Sequence, residues 1–170
     1  MALPPDKPLK YNNRDVTYFE MLAIKANDYL AQYGIKLNFN GYTETVNEYK
    51  NMEFHEGDIA WRLSKELNAW AEYFSEISNL IQKILLDSES GEREKRAISS
   101  IKFDSEKVSN GNRLSYKDKE VIESIKKKNT LKAFHDELDA KVRFLERAHY
   151  HCKITFESNE KARFPVFKNN

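Results

Sequence analysis

The residues with the most reactive side chains lie together near the end of the chain, in His149-Tyr150-His151-Cys152. On a helix, His149 and Cys152 are three apart and share a face, so in principle they offer two metal ligands or a thiol with a nearby base. A structural zinc needs four ligands, and this helix supplies two. Cys152 is the single cysteine of the chain, and no H-E-x-x-H spacing occurs. Both residues also fall on a seven-residue hydrophobic repeat, where packing is the simpler use for them. Phosphate-cradling glycine motifs (G-x-x-x-x-G-K, G-x-G-x-x-G) are absent, and the carboxylates are scattered, without the seam of inward-facing Glu that a di-iron bundle combines with its Glu-x-x-His motifs. The sequence therefore predicts no enzyme, no metal and no cofactor.

The second chemical feature is charge. The 170 residues carry 28 Lys and Arg against 27 Asp and Glu, which excludes a uniformly basic DNA-coating protein. The distribution is uneven. Residues 1–90 hold 9 basic and 14 acidic side chains, whereas residues 91–132 hold 12 basic and 7 acidic. Within that basic zone stand Arg93, Lys95, Arg96, Lys102, Lys107, Arg113 and the run Lys126-Lys127-Lys128. Such a zone holds phosphates in a salt-sensitive, sequence-tolerant way; the plainer use is to solvate a helical surface. Phe103, Tyr116 and Arg113 are candidates to stack on unpaired bases, or to cap a helical core.

The elements that must position these residues are mostly helices. Only 5 Gly and 4 Pro, 32% charged residues and a mean hydropathy of −0.77 argue against a β-sandwich or a doubly wound α/β fold. At 12%, the aromatic content is too high for a disordered chain. Residues 1–12, with Pro4, Pro5 and Pro8, read as a flexible arm. Asn13 is placed to cap a first helix whose apolar positions Val16, Phe19, Ala23, Ala26, Leu30 and Tyr33 alternate steps of 3 and 4, closed by Gly34. Residues 35–56 read as irregular, with a possible small hairpin between Ile35–Asn40 and Tyr42–Val46.

From Gly57 the pattern is strongest. Leu63, Leu67, Trp70, Phe74, Ile77, Ile81 and Ile84 keep a heptad for three repeats. The same register then reaches Ser88, Gly91, Lys95 and Lys102, with Ile98 its one apolar member. The helix is expected to run through Gly91 to about Val108, since one glycine costs only about 1 kcal/mol. Ser109-Asn110-Gly111-Asn112 is a turn, and Ser115 caps the next helix with Asp118 in its first turn. That helix, about 116–152, repeats Leu131, Leu138, Leu145 and Cys152 every seven residues, interleaved with His135, Val142 and His149. Ile154-Thr155-Phe156-Glu157 is expected to leave the helix, and 158–170 to form a tail.

The fold expected is mainly α: a long antiparallel helical hairpin, coiled-coil-like, with an N-terminal helix and a small irregular or β-hairpin segment. Its divisions are an arm (1–12), an N-terminal helix with a loop (13–56), the hairpin (57–157) and the tail. Two heptad stripes with little to cover them predict a homo-oligomer through Leu63, Leu67, Trp70, Phe74, Ile77, Ile81, Leu131, Leu138, Val142 and Leu145. The alternative is a three-helix bundle closed by the N-terminal helix. No apolar run approaches 18 residues and MALPPDKPLK lacks a secretory core, so a cytoplasmic protein without a membrane role is expected.

The layout resembles the phage recombination mediator family typified by UvsY. The likeness spans about residues 63–157. It is carried by Leu67-Asn68-Ala69-Trp70-Ala71-Glu72-Tyr73-Phe74, the turn Lys107-Val108-Ser109-Asn110-Gly111, and Lys117-Asp118-Lys119-Glu120-Val121-Ile122. Further on it includes Val142-Arg143-Phe144-Leu145-Glu146-Arg147 and the closing run to Ile154. The resemblance implies a ring-like oligomer that binds single-stranded DNA and helps load a RecA-like recombinase onto strands covered by single-strand-binding protein. It assigns DNA contact to Lys95, Arg96 and Lys102, with Lys107 nearby. Glu92, Glu94 and Asp104 dilute that basic stretch, and residues 1–56 have no counterpart in the pattern. A competing reading is a phage scaffold, connector or tail-associated helical subunit with no nucleic-acid role; a third is a small antagonist of a host factor that uses the acidic first half as a decoy.

Overall fold

The computed structural model describes residues 9–102, Lys102 by its backbone alone, and 118–163. Strands β1 (Leu9–Tyr11) and β2 (Arg14–Val16) are followed by helices α1 (Tyr18–Leu30), α2 (Tyr42–Asn51), α3 (Gly57–Lys102) and α4 (Lys119–Arg163). The chain is mainly helical, built on two long helices that pack together, as expected from their heptad stripes. It divides into two compact units made of alternating stretches of sequence: Met1–Leu37 with Asn79–Glu137, and Asn38–Ser78 with Leu138–Asn170.

In the first unit the expected arm is a hairpin from Leu9 onward, and residues 1–8 lie outside the described residues. β1 and β2 pair antiparallel with Leu9 opposite Val16 and Tyr11 opposite Arg14. Asn12 and Asn13 form the two-residue turn at φ 48° and 62°, the left-handed region that asparagine tolerates and that matches strand twist. Asn13 is therefore a turn residue and not the expected helix cap. Thr17 caps α1 instead: its hydroxyl accepts from the Glu20 N–H at 3.2 Å, and the Glu20 carboxylate accepts from the Thr17 N–H at 2.7 Å. α1 buries Phe19, Leu22, Ala23, Ala26 and Leu30. A short 3-10 turn, Ala31–Tyr33, ends at Gly34, whose φ of 72° is the left-handed stop expected of it.

The α3 and α4 segments of this unit run antiparallel. Ser99 donates to Asp118 at 2.9 Å and Lys95 to Ser124 at 3.2 Å, while Glu92 meets Lys128. Phe19 of α1 packs on Phe134 of α4 with ring centroids 5.7 Å apart. α3 passes through Gly91 without a break, as expected up to Lys102; the remainder to Val108 lies outside the described residues. Beyond Ile84 the seam departs from its heptad. Glu92 and Ser99 are buried, and Ile98 is 59% exposed. An α-helix turns every 3.6 residues, so a 3.5-residue stripe drifts about 20° per heptad, and a step of 4 after Ser88 brings the next position inward. Asp118 caps α4 with its carboxylate on the Glu120 N–H at 3.0 Å, one turn later than expected; Ser115 lies outside the described residues.

The segment read as a strand, 35–40, runs from the first unit into the second and joins no ladder. The Asn38 N–H donates to the Tyr73 hydroxyl at 3.0 Å, and Phe39 lies edge-on to Phe74 at 5.4 Å. A strand needs ladder partners for its amides, and here a side chain meets that need. The expected return strand is α2, entered through Gly41 at φ 88°. α2 sets Tyr42 against Trp70 and Phe74 of α3, and Tyr49 against Phe144 of α4. α3 and α4 are joined here by Ser78 donating to Asp139 at 2.6 Å and by His149 against Ser64.

α4 does not end near Cys152. Thr155 is fully buried on the same stripe, and the Asn159 amide donates to the carbonyls of Phe54 and Thr155 at 2.9 Å, so residues 154–163 remain helical. The tail beyond Arg163 lies outside the described residues.

Candidate nucleic-acid interface

The residues expected to form an oligomer interface are core. Leu63, Leu67, Phe74, Ile81, Leu131, Leu138 and Leu145 are 0% exposed within the single chain and Ile77 is 6% exposed. Trp70 and Val142 are half-buried. Each unit covers its own stripe with a short helix, α1 or α2, so the fully buried side chains among these have no surface left for a second copy. Burying a leucine or phenylalanine this fully stabilises by about 1.5–3 kcal/mol, which favours the closed arrangement over an exposed seam.

The basic cluster assembles between the α3 and α4 segments of the first unit, and among the described residues Arg96, Lys127 and Lys128 are already engaged within the fold. Lys126, Lys127 and Lys128 are successive on α4 and so point about 100° apart. Lys128 turns inward to the Glu92 carboxylate, 2.5 Å away, and Arg96 pairs with the same carboxylate one turn along α3. Only 5% of the Glu92 side chain is exposed, against 26% for Lys128 and 34% for Arg96. Lys127 sits 5.0 Å from the Tyr33 ring centroid and 3.3 Å from the Gln32 amide oxygen. Lys95, Lys126 and Arg93 are exposed. The Lys102 side chain, Lys107, Arg113, Phe103 and Tyr116 lie outside the described residues.

Glu92, Glu89, Arg93, Arg96 and Lys128 line an open cleft of about 170 Å³. Two carboxylates against three cations leave it nearly balanced. Glu92, read from the sequence as a diluent of the basic stretch, is instead the charge around which that stretch is organised. A signal was present: Ile84, Ser88 and Glu92 are spaced by four on one helix face, and Arg96 follows by four more.

No protein-family model, curated protein or solved structure matches the chain.

The geometry of the histidine and cysteine residues is that of packing. His149 Nδ1 is 2.8 Å from the Ser64 carbonyl. Cys152 is fully buried, and burial pushes its thiol up to about 11, away from the thiolate that nucleophilic or metal chemistry needs. Beside it Tyr49 is raised, first by burial and then by proximity to Cys152. Among the described residues no three His, Cys, Asp or Glu side chains converge as a metal site. In the second unit the exposed Trp61 stacks on the half-buried Phe156 at 4.8 Å, with the Lys65 ammonium 4.4 Å from the Trp61 ring. No helix among the described residues is long and apolar enough to cross a membrane.

Proposed function

We propose that this protein is a non-enzymatic, cytoplasmic binder of single-stranded DNA. In the fuller reading that the UvsY-like pattern implies, it is a recombination mediator that helps load a RecA-like recombinase onto strands covered by single-strand-binding protein. The observation that carries the proposal is the exposure of Lys95 and Lys126 at one end of the first unit, within a stretch of net charge +5 from 12 basic and 7 acidic residues. Such a surface holds backbone phosphates without reading sequence. Arg96 and Lys128 are left out of the contact set because both are drawn inward onto the buried Glu92 carboxylate. Titration of a labelled oligothymidylate at several salt concentrations, with Lys95→Glu and Lys126→Glu as variants, tests the assignment.

A second reading, a phage assembly protein whose helices serve only protein contacts, is favoured by that same withdrawal of Arg96 and Lys128 into the fold. On this reading no oligonucleotide titrates the protein at any salt.

A further inference from the structure

α3 carries a second stripe on the side away from its buried one. At 100° per residue, Leu86, Ser90, Ala97 and Ile101 fall within about 60° of one another, opposite Ile81, Ile84, Glu92 and Ser99. The latter four are buried; Leu86 is 63% and Ile101 76% exposed, and Ser90 and Ala97 are exposed with them. Single exposed apolar side chains are ordinary. Here two large ones bracket two small ones a heptad apart, and the exposed Arg93 and Glu94 border the stripe on its two sides. That is the layout of a helix-pairing face: small residues at the centre for close approach, large ones at the ends, opposite charges along the edges.

We propose that this face of α3 is the contact between two copies of the chain, with their α3 helices parallel about a two-fold axis. The charges choose the direction. In a parallel pair the two borders of the stripe meet, so Arg93 of each copy lies beside Glu94 of the other. An antiparallel pair sets Arg93 beside Arg93 and Glu94 beside Glu94, which is repulsive. Leu86 packs on Leu86 and Ile101 on Ile101 across the axis, and Ser90 and Ala97 bring the backbones together. The stripe is about 22 Å long at 1.5 Å per residue. It is smaller than a standard interface, so the pairing is weak and depends on concentration. It uses neither Lys95 nor Lys126, and stands whether or not the chain binds DNA.

Sedimentation analysis of the full chain from about 5 to 500 μM tests it, a range that brackets weak association. The wild type is expected to pass from monomer toward dimer. Leu86→Glu and Ile101→Glu each weaken that step at least about tenfold, equivalent to 1.4 kcal/mol, with helical circular dichroism unchanged because both positions face solvent in the single chain. On mild oxidation Ala97→Cys gives a disulfide-linked dimer faster than Lys132→Cys on α4 does. A monomer at every concentration overturns the proposal, as does a dimer indifferent to both Glu substitutions. Loss of helicity in Leu86→Glu without a wild-type dimer also overturns it, since the face is then covered by the chain itself. Equal cross-linking at positions 97 and 132 overturns the parallel arrangement.

Discussion

Glu92 and Lys128 meet between two helices with carboxylate and ammonium 2.5 Å apart and 5% of the Glu92 side chain exposed. An ion pair this buried adds little net stability, because desolvation offsets attraction, yet breaking it leaves an uncompensated charge. Lys128→Glu is expected to destabilise the fold by about 3–5 kcal/mol, whereas Lys126→Glu on the exposed side of the same helix changes it by less than about 0.5 kcal/mol. Replacing Glu92, Arg96 and Lys128 together with Leu, Met and Met is neutral or stabilising. Urea unfolding of these variants is the measurement; equal effects at positions 126 and 128 contradict the inward placement of Lys128.

Gly91 lies inside a continuous helix, and a Cβ added there meets nothing within 4 Å. Gly91→Ala should therefore raise stability by about 0.5–1 kcal/mol, through reduced freedom of the unfolded chain and better helix propensity. Thermal unfolding checks it, and a drop in Tm shows a helix interrupted at Gly91.

Gly41 opens α2 at φ 88°, where a side chain strains the backbone. Gly41→Ala is expected to cost about 1–2 kcal/mol. The opposite outcomes at the two glycines, read by the same unfolding assay, separate a conformational requirement from a propensity effect.

What the sequence made legible follows from which signal each element carries. The α3 and α4 cores stand out because Leu63 to Ile84 and Leu131 to Cys152 repeat over several turns, and no local alternative competes. α2 was hidden: Tyr42, Val46 and Tyr49 have helical spacing, but Ile35 to Asn40 beside them alternates like a strand, and the Asn27 side chain on the Leu37 N–H and the Tyr73 hydroxyl on the Asn38 N–H show how that segment does without a ladder. The basic residues were legible as a cluster and not as a site. Which of three successive lysines faces water depends on the rotation of α4, and that is fixed by Leu131 and Phe134 in the core together with Glu92 across the seam. The oligomer seam was misplaced for a related reason, since covering a stripe requires knowing where the short helices fold back.

Alkaline pH should loosen the second unit. Burial pushes Tyr42 up to about 12 from 10.0 and Cys152 up to about 11 from 9.0. Both groups are neutral when protonated, so folding holds their protons more tightly than the unfolded chain does. Stability is full below pH 9, falls as the unfolded Cys152 and then Tyr42 ionise, and stops falling from this source near pH 12. Each group accounts for about 2–3 kcal/mol over its window. Tyr42→Phe and Cys152→Ala should each flatten the decline in unfolding free energy with pH; an unchanged slope in both contradicts their burial.

The central claim is that exposed cations at the α3–α4 end hold single-stranded DNA. Fluorescence anisotropy of a labelled oligothymidylate against salt tests it most directly. The account predicts binding whose log affinity falls with log salt by at least about 1.4, two phosphates at about 0.7 each, reduced by about 0.7 in either Lys95→Glu or Lys126→Glu. Binding that is absent at low salt, or that is unmoved by both substitutions, contradicts it.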